Sequence, residues 1–245
     1  SFGYHGLQTL DPNAIPAQIC AGATCTAGGI GLGLGVAPFG QSTVQQGAQY
    51  IPVGTRPNRN LSGGFFWYTE SNSSYNSLQI DVTRRLTSGF QFRTNYTWSK
   101  SLDMNSGLTG AQSNNQAQML MDRTNLRRDW GPSALNAPHQ ASLSGHYDLP
   151  FGKGRRWAPG VTGMGDRLIS GWQVNAITSL LSGFPFTPLV GANRSGNGDT
   201  RNPDRPTMNP AFSGPVVLGN PNQWYNPNAF LRPAAGTVGN LGRGV

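Results

Sequence analysis

The chain is poor in charge: only 11% of its 245 residues are Asp, Glu, Lys or Arg, against about 25% in an ordinary soluble domain. Its hydrophobic fraction, 36%, is low as well. These two shortages exclude a large oily interior. No run approaches the ~18–20 apolar residues of a membrane-spanning helix. With ten acidic residues in all, paired carboxylates for acid–base work are few. No Gly-x-Ser-x-Gly elbow occurs. His5, His139 and His146 fall in no metal-ligand spacing, and His146 beside Asp148 reads as a structural hydrogen bond. No catalytic constellation emerges, so the chain reads as a protein that is not an enzyme and calls for no cofactor.

Cysteine is nearly absent. Cys20 and Cys25 lie in Cys-Ala-Gly-Ala-Thr-Cys, and no second pair completes a zinc site. Their Gly/Ala-rich setting predicts a small-loop disulfide formed in an oxidising compartment, with two unpaired thiols as the alternative. The net charge of +8 is scattered over small clusters at Arg84-Arg85, Arg127-Arg128 and Lys153-Gly154-Arg155-Arg156. With no basic helix and no RNA-binding aromatic motif, nucleic acid is not expected as a partner. The last cluster adjoins an expected strand end, where basic residues suit lipid headgroups. Gly31-Leu32-Gly33-Leu34-Gly35 lacks both the spacing and the Gly-Lys-Ser/Thr ending of a phosphate loop.

What is abundant is Gly (34), Pro (18), Asn, Ser, Thr and Gln. That mix suits a wall of strands with a polar interior and turn-rich loops. Residues 78–86 and 90–99 alternate, joined by a turn at Thr87-Ser88-Gly89. Leu78, Ile80, Val82, Phe90, Phe92, Tyr96 and Trp98 fall on one face, and Gln79, Asp81, Arg93 and Asn95 on the other. This predicts a β-hairpin with one apolar and one polar face. Each arm is about 9–10 residues, the length that a tilted strand needs to cross a bilayer. Alternation resumes over 140–149 and again over 168–182, where Trp172, Val174, Ala176, Thr178 and Leu180 oppose Gln173, Asn175 and Ser179, with Ile177 the exception.

Three regions are expected. Residues 1–62 read as a loop-rich segment holding Cys20 and Cys25. Residues 63–182 hold the strands, including a short aromatic one at 64–70, a polar turn at 71–74 and a long loop at 100–138. A short helix is expected within 115–128. Residues 183–245 are rich in Pro, Asn and Gly. Short connections at one end of the sheet and long ones at the other match the periplasmic turns and extracellular loops of outer-membrane barrels. Tyr75, Tyr96 and Trp98 would mark one interface, and Phe90, Tyr147 and Trp172 the other. Arg84 is a misfit on the apolar face, placed near a strand end where it can snorkel. The fold class expected is all-β, with antiparallel up-and-down strands forming part of a transmembrane outer-membrane β-barrel with long irregular extracellular loops. Both chain ends look cut, so a fragment of a longer protein is expected.

Ser74-Tyr75-Asn76-Ser77-Leu78-Gln79 and Tyr96-Thr97-Trp98-Ser99-Lys100-Ser101-Leu102-Asp103 resemble segments of a known family. Further resembling segments are Leu149-Pro150-Phe151-Gly152-Lys153-Gly154-Arg155, Gly171-Trp172-Gln173-Val174 and Ser182-Gly183-Phe184-Pro185-Phe186-Thr187. Trp224-Tyr225-Asn226-Pro227-Asn228-Ala229-Phe230 and residues 236–243 extend the likeness. In order and spacing they resemble the barrel region of Oar-like TonB-dependent transporters of the acidobacterial, carboxypeptidase-regulatory-like type. The resemblance implies import of a large nutrient such as a glycan, peptide or chelate. It also implies outer-membrane lipid as surroundings and the TonB complex as partner, through parts this chain does not contain. Two rivals stand beside it. One is a non-transporting surface barrel, such as a porin or adhesin. The other is a secreted carbohydrate-binding β-protein, which would need a second sheet over the Phe90/Phe92/Tyr96/Trp98 face.

Candidate ligand contacts are the wall residues Gln79, Asp81, Arg93, Asn95, Gln173 and Asn175, and the loop aromatics Trp130, Trp224 and Tyr225. Asn193, Ser195, Asn197, Asp199 and Asp204, with Gly198, roughly echo a calcium-loop spacing. The early carboxylates and the terminal Glu are missing, so a polar surface loop is the expectation and no metal site is assigned.

Overall fold

The structure, a computed structural model, describes residues 1–28, 41–61, 66–106, 120–122, 124–196 and 204–244. Gly31 to Gly35, Asn197, Gly198 and Asp199 lie outside them, as do residues 115–119 and 123 of the expected helix. The strands are β1 (Phe2–Leu10), β2 (Gln18–Ile19), β3 (Thr24–Ala27), β4 (Ser42–Gln45), β5 (Gln49–Tyr50), β6 (Phe66–Thr87), β7 (Phe90–Asp103), β8 (Gly131–Pro132), β9 (His139–Asp148), β10 (Gln173–Leu181), β11 (Thr207–Met208), β12 (Val217–Asn220), β13 (Gln223–Tyr225) and β14 (Phe230–Leu231). The one α-helix among the described residues, α1, is Met164–Ile169. The main sheet runs β1-β6-β7-β9-β10, with β8 paired to β7. The chain divides into two compact units.

One unit comprises residues 76–100 and 137–183. It is a sheet of β6, β7, β9 and β10, each neighbour following the last along the chain. The ladder is unbroken: Phe90 pairs Tyr147, Thr94 pairs Leu143 and Tyr96 pairs Ala141, while Val174 pairs Tyr147 and Leu180 pairs Ala141. Because side chains alternate, an in-register ladder stacks like with like. One face carries Phe90, Phe92, Tyr96, Trp98, Leu143, Tyr147, Val174 and Leu180. The other carries Gln91, Arg93, Asn95, Ser142, Ser144, His146, Gln173 and Asn175.

The turn between β6 and β7 has two residues, one fewer than expected, since Thr87 remains in the strand. Ser88 and Gly89 take φ of 53° and 79°, the signature of the I′ turn whose twist matches a hairpin. The expected strand at 168–182 begins only at Gln173. Before it, α1 ends at Ile169 and Gly171 takes a φ of 79°, which turns the chain into the strand.

The other unit comprises residues 1–75, 101–136 and 184–245. Here the expectation of loops needs correcting. Residues 2–10 form β1, and four two-stranded ladders follow: β2–β5, β3–β4, β11–β14 and β12–β13. Nor do residues 71–74 turn, because β6 passes straight through them as part of a 22-residue strand. The cause is a partner distant in sequence. Phe2, Gly3 and Gly6 of β1 face Ser74, Ser73 and Ser71, supplying the ladder bonds that a Ser/Asn run otherwise seeks within itself. The short helix expected within 115–128 is, over its described part, a 3₁₀ turn at Leu126–Asp129.

The interior of this unit is small and polar. Cys20, Ala27 and Val44 form an apolar nucleus with Cys25, Ala48 and Tyr50 against it. Ile15, Ile51, Leu120, Met121 and Leu241 are buried as well, but the largest fully buried side chains are polar, Arg205 and Asn193 first among them. Arg205 pairs with Asp129 at 2.9 Å, Arg243 with Asp103 at 2.9 Å and Arg56 with Asp11 at 3.2 Å. Asn13 donates to the carbonyls of Asn58 and Leu61 and accepts from the Asn58 amide.

Candidate functional site

The polar face of β6, β7, β9 and β10 gathers most of the wall residues expected from the sequence. Asp81 sits at its centre, accepting from Arg93 Nε at 3.0 Å and Nη2 at 2.9 Å, from Thr83 Oγ1 at 3.1 Å and from the Asn95 amide. Asn95 reaches across the ladder to Ser142. On the neighbouring strands, His146 lies between Asn175 Oδ1, 2.8 Å from Nδ1, and Asp148 Oδ1, 3.0 Å from Nε2. The expected His146–Asp148 bond is present. Gln79 stands on the Asp81 face, and Gln173 closes the row opposite Asp148.

These groups line two shallow recesses. One, of about 260 Å³, is edged by Gln91, Arg93, Ser144, His146, Asn175 and Ile177. A second, of about 390 Å³, is edged by Asn95, Thr97, Gln140, Ser142, Ser179 and Leu181. Ile177, the break in the alternation, is thus an apolar group within a polar wall. Gln91, Ser142 and Ser144 were missed as wall candidates, although the same alternation that placed Arg93 places them.

The opposite face stays bare. Leu78, Ile80, Val82, Leu143, Val174 and Leu180 are all exposed, as are Phe90, Tyr96 and Trp98. The second sheet required by a soluble carbohydrate-binding sandwich is not found among the described residues. Polar groups on this face are matched locally. The Arg84 guanidinium lies 5.4 Å from the Phe90 ring centroid, a cation–π contact that shelters the misfit charge. Tyr96 Oη lies 2.8 Å from His139 Nδ1, with the rings stacked. A bare apolar face backed by a hydrogen-bonded polar one is the cross-section of a membrane strand wall.

Residues 1–245 match the family model described as "Outer membrane beta barrel domain". The chain belongs to this outer-membrane β-barrel family. No curated protein and no solved structure matches it. The family gives the two faces of this outer-membrane barrel domain their meaning: the apolar face meets lipid and the polar face lines the interior.

The loop aromatics are divided. Tyr225 packs between Phe186, 5.4 Å away, and Phe230, 5.9 Å away in edge contact. Tyr225 and Phe230 line a groove of about 430 Å³ with Pro188, Leu189, Pro227 and Arg232. Trp224 and Trp130 are exposed and line none of these recesses. Cys20 and Cys25 are joined in a disulfide, as expected.

The echo of a calcium loop has another explanation in its described part. Asn193, Ser195 and Asp204 are buried, not on the surface. Asp204 accepts from the Ser195 amide at 2.6 Å and the Ser195 hydroxyl at 2.9 Å, while Asn193 Oδ1 accepts from the Gly196 amide at 3.0 Å. The oxygens are spent on the protein's own donors. Burial pushes the Asp204 carboxyl above its ordinary value, against those hydrogen bonds. It pushes Asp129 up likewise, opposed by Arg205 and Arg243. The Arg205 guanidinium is driven down from its usual value by burial, with Asp129 opposing.

Proposed function

We propose that this barrel domain is the wall and outer loop region of a TonB-dependent transporter that carries a large nutrient (a glycan, a peptide or a chelate) across the outer membrane. It performs no covalent chemistry of its own. Loop groups capture the nutrient, and TonB-driven movement of parts outside this chain releases it along the polar wall.

The observation that carries this reading is the length of β6. About 9–11 residues of a tilted strand suffice to cross the membrane, and β6 has 22. A strand of this length carries ordered chain well beyond the bilayer, which suits capture of a cargo at the surface. The ordered resemblance of residues 74–79, 96–103, 149–155, 171–174, 182–187, 224–230 and 236–243 to Oar-like transporters supports the same reading. Polar groups on the wall, with Asp81, Arg93, Asn95 and Asn175 among them, suit a hydrated cargo.

The test is uptake by cells expressing the full-length protein, offered fluorescent oligosaccharides, oligopeptides and a ferric chelate. Uptake of one class that stops when a protonophore collapses the proton-motive force is the expected result. Uptake that persists without that force would identify a passive porin. Surface binding with no uptake would identify an adhesin.

A further inference from the structure

We propose that residues 149–172, the connection between β9 and β10, form a binding element for anionic phospholipid headgroups at the rim of the barrel. The proposal needs only the membrane location, not the transport reading.

The connection is built, not slack. Trp157 donates its amide to the Pro150 carbonyl and accepts at its own carbonyl from Gly152. Asp166 of α1 then ties two segments together, accepting from the Lys153 amide at 3.2 Å and from the Ser170 hydroxyl. The Ser170 hydroxyl and the Lys153 amide hold the Asp166 carboxyl below its ordinary value, so it stays ionised in this role. At Gly152, with φ of 108°, a Cβ would fall 1.8 Å from Ser170 Oγ. Only glycine allows the two segments to approach this closely.

What this knot presents is of one kind. Lys153, Arg155, Arg156 and Arg167 are exposed, and Asp166, the one acid in these residues, is already engaged. Interleaved with them are Trp157, Met164, Leu168 and Trp172, between 55% and 81% exposed. Arg156 lies 5.8 Å from the Trp157 ring centroid. Trp172 donates its indole N–H to the Leu168 carbonyl at 2.7 Å. Exposed indoles with guanidinium groups beside them form the pattern of a membrane interface.

The position agrees. The Leu149 amide donates to the Trp172 carbonyl at 2.9 Å, so the knot is a direct continuation of β9 and β10. It sits at the end of the ladder where Phe90, Tyr147 and Val174 pair, the rim of the lipid-facing surface. Arg84 lies against Phe90 at the same rim. Phosphodiester headgroups lie at that height, and three net positive charges face them.

The test uses the full-length protein in nanodiscs containing phosphatidylcholine and phosphatidylglycerol in equal parts. Retained lipid is counted by native mass spectrometry. Wild type is expected to keep phosphatidylglycerol in preference. Lys153→Gln/Arg155→Gln/Arg156→Gln should lose that preference about tenfold or more, since each basic group near an anionic surface contributes substantially. Arg155→Lys/Arg156→Lys should keep it, because the attraction is to charge. Equal retention of the two lipids by wild type would overturn the proposal. So would a Gln variant that behaves as wild type, or a Lys variant that fails as the Gln variant does. Displacement of the lipid by inorganic phosphate would mark a free-anion site instead and would overturn it too.

Discussion

Arg205 Nη1 donates to Asp129 Oδ1 at 2.9 Å, and both side chains are almost wholly shielded from water, at 2% and 4% exposure. The pair joins two segments of the loop unit that lie 76 positions apart. Arg205 also donates to the Arg128 carbonyl, and the Asp129 carbonyl accepts from Arg243. The fold of this unit therefore depends on charges that have no access to solvent.

Replacing Arg205 by Met is expected to weaken the loop unit by about 3–5 kcal/mol at neutral pH, the cost of stranding a buried carboxylate. The sign of the pH dependence follows from Asp129. Burial already raises its affinity for a proton, and loss of Arg205 raises it further. A carboxyl raised on folding contributes stability that is full below its unfolded value and is lost as pH rises through its folded one. The defect of the variant should therefore shrink as pH falls towards 4. Limited proteolysis of residues 204–244 at pH 7 and pH 5 measures it. A defect that grows on acidification would refute the argument.

Ile80→Arg and Gln79→Arg place the same charge on opposite faces of one strand. The first should cost about 2–4 kcal/mol near the bilayer midplane. The second should be close to neutral. Urea unfolding from lipid vesicles compares them. Equal costs, or the reverse order, would show that the faces have been assigned wrongly.

Gly89→Ala should destabilise the β6–β7 hairpin by about 1 kcal/mol or more. Gly89 has φ of 79°, and a Cβ there would lie 3.1 Å from the Asp148 Cβ. Ser88→Asn should stabilise it slightly, since Asn accepts positive φ more readily. Opposite shifts of the unfolding midpoint are the expected readout.

The strand wall was legible because a period of two is a local property. Phe90, Phe92, Tyr96 and Trp98 declare their face without knowledge of their partners. Asp81, Arg93 and Asn95 were found by the same alternation, and they meet. The loop unit was not legible, because what holds it together is nonlocal. Nothing near Asp129 announces Arg205, and Ser71 to Ser74 read as a turn because β1 is invisible from within them. Asn193, Ser195 and Asp204 looked like ligand donors because calcium ligands and buried amide acceptors use the same residue types. Burial separates the two, and burial is not written in the spacing. Cys20 and Cys25 were readable because five positions separate them, close enough for a local argument.

The pairing of Arg243 with Asp103 has a consequence for assembly. Arg243 donates to the Asp103 carbonyl across 140 positions and also to the Ser106 hydroxyl. Closing so wide a loop is entropically slow, and the contact rewards the chain only once it is complete. A nascent or exported chain that has delivered Asp103 and Ser106 must hold them open to water until residue 243 arrives. The loop unit is thus latched only after both ends of this long loop, Asp103 with Ser106 and Arg243, have been delivered.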